Sequence, residues 1–248
     1  MMNRLLITAL TLAFCATAHG ASAEKKAAPR PAGRPEFVSR RTPGAAFVII
    51  DARAGAAQDL APLAANMERF CRITCTVERK PDAKTADGYA LACACLDKQQ
   101  GKGAVAVIVD GPADGPGLTV YPEDRAGVIN AACYAADADA ATAAKRIEKE
   151  LWRVLAMIAG GVETEEYCVL KPVLNPADLD SLTASTLSPN VAMRVSANAE
   201  RFGFGQVEHV PYRVAVVRGW APAPTNAAQK AIWEQVRKSK TKTTDSGK

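Results

Sequence analysis

KELWRVLAMIAGGVETEEYCVL, residues 149–170, is the stretch on which the reading of this chain turns. Its first half continues a helix that Asp139 caps and that spans about 140–159. Ile147, Leu151, Val154, Leu155 and Ile158 fall on one face by the i, i+3/i+4 rule, while Lys145, Glu148 and Lys149 fall elsewhere. Gly160-Gly161 follows the last periodic residue and supplies a left-handed C-cap. Beyond a Cys-Val-Leu turn, Asn175-Pro176 with acidic residues behind it starts a short helix over 175–182.

Upstream, AAFVIIDA (45–52) and GAVAVIVD (103–110) are continuous apolar runs that read as buried strands. Leu60, Leu63, Met67 and Phe70 mark a first helix over 58–72, and ITCTVE (73–78) a further strand. YALACACLDK (89–98) is apolar at almost every position, so periodicity does not decide it, and its alanines favour a helix. Leu118–Tyr121 and Gly127–Tyr134 read as two more strands. Strands alternating with helices imply an α/β fold with a mixed, mostly parallel twisted sheet and two or three helices. Downstream, 183–236 reads as a C-terminal extension with a strand over Tyr212–Arg218 and a helix over 226–238.

The 149–170 frame resembles the zinc helix of the metzincin metallopeptidases, and among them the archaemetzincins. In those, a Lys-Glu lead-in runs into H-E-x-G-H-x-x-G, a third ligand and a Cys-Val-Met turn beneath the metal. Two histidines at i and i+4 share a helical face, the Glu activates zinc-bound water, and the glycine turns the chain toward the third ligand. Lys149-Glu150-Leu151 matches the lead-in, Gly160 the turning glycine, and Cys168-Val169-Leu170 the turn. Arg153 and Met157 stand at the histidine positions, Val154 at the catalytic glutamate and Glu163 at the third ligand. Arginine is permanently cationic, valine transfers no proton, and a lone thioether suits Cu(I) rather than zinc. The resemblance therefore implies a zincin-like domain over 45–182 with no metal, no cofactor and no catalytic residue in this frame. It also implies an edge strand, Leu118–Tyr121 or Gly127–Asn130, that would hold an extended peptide or an envelope protein.

Other chemistry is sparse. The chain has two histidines, His19 and His209, and the latter reads as structural or exposed. Ser181, Ser185 and Ser188 lack a nucleophile-elbow context. Asp110, Asp114, Glu123 and Asp124 follow strand ends, and their gathering in a cleft would make the alternative reading, an enzyme working through carboxylates or a thiol.

The N-terminus reads as a secretory signal over 1–23: Arg4, an apolar stretch over Leu5–Ala18, and Ala21-Ser22-Ala23 at the cleavage site. Cys15 within Leu12-Ala13-Phe14-Cys15 offers a lipidation site, which the bulky Phe14 argues against. The apolar run is too short to span a membrane. Residues 24–44 read as a flexible basic lead-in and 237–248 as a disordered basic tail. Residues 24–41 hold six basic and two acidic residues, and 237–248 hold five and one. Such arms suit solvation or an anionic envelope surface, the basis of a third reading as a tethered structural protein. Nucleic acid binding is not expected at 6% aromatic content without a recognisable module.

An exported chain with Cys71, Cys75, Cys93, Cys95, Cys133 and Cys168 suggests disulfides, and the clustering suggests a bridge between the 71/75 and 93/95 segments. A four-thiolate metal site is the competing reading, although the C-x2-C knuckles of structural zinc are missing.

Overall fold

The computed structural model describes residues 36–55, 58–81 and 87–245, with side chains to residue 238. The expected signal segment 1–23, with Cys15, and most of the lead-in lie outside the described residues. The chain enters through β1 (Phe37–Arg41), β2 (Phe47–Asp51), α1 (Ala61–Cys71), β3 (Cys75–Arg79), α2 (Gly88–Lys98) and β4 (Ala104–Val109). There follow β5 (Leu118–Tyr121), β6 (Ala126–Asn130), α3 (Ala131–Ala135) and the long α4 (Ala140–Ile158). The remainder holds α5 (Asp178–Ser181), α6 (Pro189–Ala197), β7 (Val207–Pro211), α7 (Tyr212–Val217) and α8 (Ala227–Asp245).

Five strands form a mixed sheet in the order β3-β2-β4-β6-β5. The first four run parallel and β5 pairs antiparallel with β6, leaving β5 at the edge. β2 and β4 are buried at every position because both faces of the sheet are covered, which is why their sequences are unbroken apolar runs. Phe47, Ile49, Ala106 and Ile108 face the side covered by α1 and α4, whereas Val48, Ile50, Val105 and Val107 face α2. The helix reading of 89–98 therefore holds, and a helix is needed there to cover the second face.

α4 occupies its expected span, with Asp139 Oδ1 accepting from Thr142 N at 2.7 Å and Gly160 beyond it at φ +86°. It lies against β4, β5 and β6. Gly127 of β6 permits that approach: a Cβ there would lie 2.5 Å from Val154 Cγ1.

Several expectations are corrected. The strand expected over Gly127–Tyr134 ends at Asn130, whose side chain accepts from Gly111 N and donates to Pro112 O, and α3 follows. The strand expected over Tyr212–Arg218 is helix α7 with Arg218 as its C-cap, because Tyr212 and Val216 bury together against Val236 of α8. The lead-in contains β1, which pairs with β7 across the chain and is tied to α1 by Arg41 and Glu68. The helix expected from Gln58 begins at Ala61, since the Gln58 side chain turns away to Glu148 and Asp59 Oδ1 accepts from Ala61 N at 3.0 Å. The segment after 183, expected as an extension packed on the domain, contributes Val191, Val195, Phe202 and Phe204 to the same core as α1 and α4 residues. α8 runs to Asp245, into the stretch expected to be a disordered tail.

No disulfide joins Cys71, Cys75, Cys93, Cys95, Cys133 or Cys168. The suggested bridge between the two clusters meets a physical obstacle: Cys71 and Cys75 lie in the core on the α1 side of the sheet, and Cys95 in the core on the α2 side.

Candidate functional site

Three cations on α4, Arg146, Lys149 and Arg153, face the irregular chain after the helix. Arg146 makes a paired contact with the Asp180 carboxylate, pairs with Asp137 and donates to Tyr134 O at 3.1 Å. Lys149 Nζ donates to the carbonyls of Leu179 at 2.6 Å and Leu182 at 2.7 Å, and burial pushes its ammonium pKa down. Arg153 Nη1 donates to Val169 O and Lys171 O, both at 2.8 Å. Backbone carbonyls of the irregular chain at Val169, Lys171 and Leu182 thus find donors on the helix. The turn Cys168-Val169-Leu170 is buried, and the Arg153 side chain of α4 bonds it at Val169 O.

Arg153 is 5% exposed and Glu150 2%. Their i, i+3 spacing sets Arg153 Nε 3.0 Å from Glu150 Oε2, an ion-pair distance. The N–H is not directed at that oxygen, and neither atom has a hydrogen-bond partner among the described residues. Glu150 Oε1 accepts from the Tyr134 hydroxyl at 3.0 Å. Burial pushes the Glu150 carboxyl pKa up, opposed by the Arg153 charge and the Tyr134 bond, and burial also raises the Tyr134 phenol.

These groups floor a cleft of about 330 Å³ between β5, α4 and residues 173–176, with Leu118, Val120, Met157 and Val173 as walls. Leu174, 94% exposed, stands at its lip. Of the four positions singled out in the sequence, Arg153 and Met157 line this cleft. Val154 is fully buried beneath Gly127, and Glu163 is exposed. The residues do not fit a zinc ion: the first ligand position holds a guanidinium tethered to two carbonyls, and Val154 offers no donor. Among the described residues no group of three or more His, Cys, Asp and Glu is placed to hold a metal.

The fold is similar to that of archaemetzincins. The archaemetzincin of Methanopyrus kandleri shares 18% identity at a TM-score of 0.42, over 63% of this chain and 96% of that one. The archaemetzincin of Archaeoglobus fulgidus, complexed with malonate, shares 12% at 0.43, over 60% and 99%. A zinc-dependent peptidase from Methanocorpusculum labreanum shares 10% at 0.43, over 61% and 100%. No family model and no curated protein matches the sequence.

The other candidates disperse. Asp110, at the C-terminal end of β4, accepts from Ala54 N, while Asp124 bonds Tyr89 before the start of β6, which runs parallel to β4. The acidic groups therefore sit at opposite ends of the sheet rather than in one cleft. His209 stacks on Phe37 and bonds Ser39, joining β7 to β1. Ser181 donates to Asp178 O, and Ser188 caps α6 and pairs with Glu166. Sequence reasoning overlooked Tyr134, Arg146 and the role of Glu150. The i, i+3 spacing of Glu150 and Arg153 was the one available signal, and a solvent-exposed helix pair carries the same spacing.

Proposed function

We propose that this protein is an exported, metzincin-like domain of the cell envelope that binds an extended peptide or protein segment along β5 and performs no peptidase chemistry beneath it. One observation carries the reading: an open edge strand walls a cleft whose floor is the buried Glu150–Arg153 pair. Asn130 N donates to Gly117 O at 2.8 Å. Antiparallel alternation then directs the N–H and C=O of Leu118 and Val120 away from β6, toward the open edge. The side chains of the same two residues wall the cleft. A strand added at this edge would take main-chain hydrogen bonds from them and send alternate side chains inward. The exposed Leu174 adds an apolar contact at the lip.

Val120→Pro tests the reading, because it deletes an outward N–H while leaving the β6 ladder intact. Acetylated, amidated pentapeptides of the form Ala-Val-Xaa-Val-Ala serve as probes in calorimetry. At least one is expected to bind the wild type and to lose binding to Val120→Pro, with circular dichroism unchanged. Equal affinity for both proteins, or no binding by any of the panel, overturns the proposal. Export is tested by the N-terminus of protein recovered from envelope fractions, expected at Glu24; a retained Met1 overturns it.

A further inference from the structure

The order of the sheet reverses at β2. Its successor β3 lies on one side of it and the next strand, β4, on the other, with α1 and α2 covering opposite faces. The chain leaves β2 toward α1 and leaves β4 toward β5, so a crevice opens between their carboxyl ends. Open α/β sheets take ligands at such a reversal. A cleft of about 430 Å³ stands there, larger than the one beside β5. Arg53 and Asp110, which follow the two strands, line it together with Ala131 of α3 and Ala143, Ala144 and Ile147 of α4.

The two charged groups have bonding capacity to spare. The buried Asp51 carboxylate holds Arg53 Nε at 2.9 Å and Nη2 at 3.0 Å, and Arg79 Nη1 at 2.7 Å. One anion thus fixes two guanidiniums, which leaves that group a positive charge in excess. Arg53 Nη1 makes no bond among the described residues and is not sealed from solvent. Asp110 is exposed; its Oδ2 accepts from Ala54 N at 3.0 Å, and its Oδ1 takes no bond among the described residues. That bond sets the carboxylate beside the residue that follows Arg53, so cation and anion share one mouth of the cleft. A free guanidinium N–H recruits a carboxylate, a free carboxylate oxygen recruits an ammonium, and the α4 wall recruits hydrocarbon. An α-amino acid carries all three on a single carbon. We infer that this cleft binds a free α-amino acid with an aliphatic side chain. Its carboxylate accepts from Arg53 Nη1, its ammonium donates to Asp110 Oδ1, and its side chain lies on Ala143, Ala144 and Ile147.

The experiment titrates the full chain in calorimetry with leucine, isocaproate and isoamylamine. The last two are leucine without its ammonium and leucine without its carboxylate, so each removes one of the two ionic contacts. Leucine is expected to bind saturably, about tenfold or more tightly than either. It is also expected to shift the methyl resonances of Ile147. Asp110→Asn keeps an acceptor for Ala54 N and loses the charge. That variant is expected to bind leucine about tenfold more weakly and isocaproate unchanged, a split that a merely structural role for Asp110 would not produce. No binding of leucine overturns the inference, as does equal binding of isocaproate or isoamylamine, an unmoved Ile147 signal, or unchanged leucine affinity in Asp110→Asn.

Discussion

Arg153 Nη1 lies 2.8 Å from the carbonyl oxygen of Val169, so a guanidinium on the long helix holds the turn that follows it. A second bond of equal length reaches Lys171 O, and the same side chain faces Glu150 from within the core. The contact joins helix to turn directly.

Removing one member of that buried pair should be far worse than neutralising both. Arg153→Met strands the Glu150 carboxylate and two carbonyls, and is expected to destabilise the fold by about 3–5 kcal/mol in urea denaturation. Adding Glu150→Gln should recover a measurable part of that loss. Strictly additive single changes in the double-mutant cycle would show that the two side chains do not interact.

Gly127→Ala is expected to cost about 1–3 kcal/mol, because the new methyl would stand 2.5 Å from Val154 Cγ1 in a packed core. Val154→Ala opens that space, so the double variant should be less destabilised than the sum of its parts. A thermal melt of Gly127→Ala matching the wild type would mean that α4 does not approach β6 this closely.

Arg146 links stability to pH. Its hydrogen bonds and charge hold the Asp137 and Asp180 carboxyls below their ordinary value of 3.8. A depressed carboxyl contributes stability that is present above its unfolded value and is lost as pH falls through the folded one. The stability gap between wild type and Arg146→Met should therefore be full at neutral pH and narrow below 3.8. Denaturation curves at about pH 7 and about pH 2 giving the same gap would contradict this.

The thiols should differ in reactivity. Burial pushes Cys71 up to about 12 and Cys75 well above its usual value, whereas Cys93 and Cys133 are half-buried. Native-state alkylation followed by mass spectrometry should label Cys93 and Cys133 before Cys71 and Cys75. Non-reducing peptide maps should contain no Cys71 or Cys75 link to Cys95, since the sheet lies between them. Detection of such a link would refute the arrangement of α1 and α2 on opposite faces.

What could be read without coordinates was whatever is encoded locally. The cap at Asp139, the apolar face from Ile147 to Ile158 and the glycine at 160 are neighbours in sequence, and the helix follows them closely. The runs at 47–51 and 104–109 are apolar at nearly every position, which marks strands covered on both faces. Where the deciding partner is distant, the reading failed. Phe37–Arg41 is mostly exposed and pairs with residues about 170 positions away, so nothing local marks it as a strand. Tyr212–Val217 is rich in β-branched valine, and its packing with α8 overrides that preference in favour of a helix.

The same division holds at the cleft. By itself the sequence determined that Arg153, Val154 and Met157 are the wrong residues for zinc, and that Glu163, which could ligate, is left as one carboxylate and not a site, because donor chemistry belongs to residue type. Only the tertiary structure decided what Arg153 does instead. Burial turned an ordinary i, i+3 pair with Glu150 into a desolvated one. The return of the chain after Gly160 brought the carbonyls of Val169 and Lys171 to the guanidinium. Spacing along a helix fixes which side chains are neighbours; whether water or protein surrounds them depends on residues far along the chain.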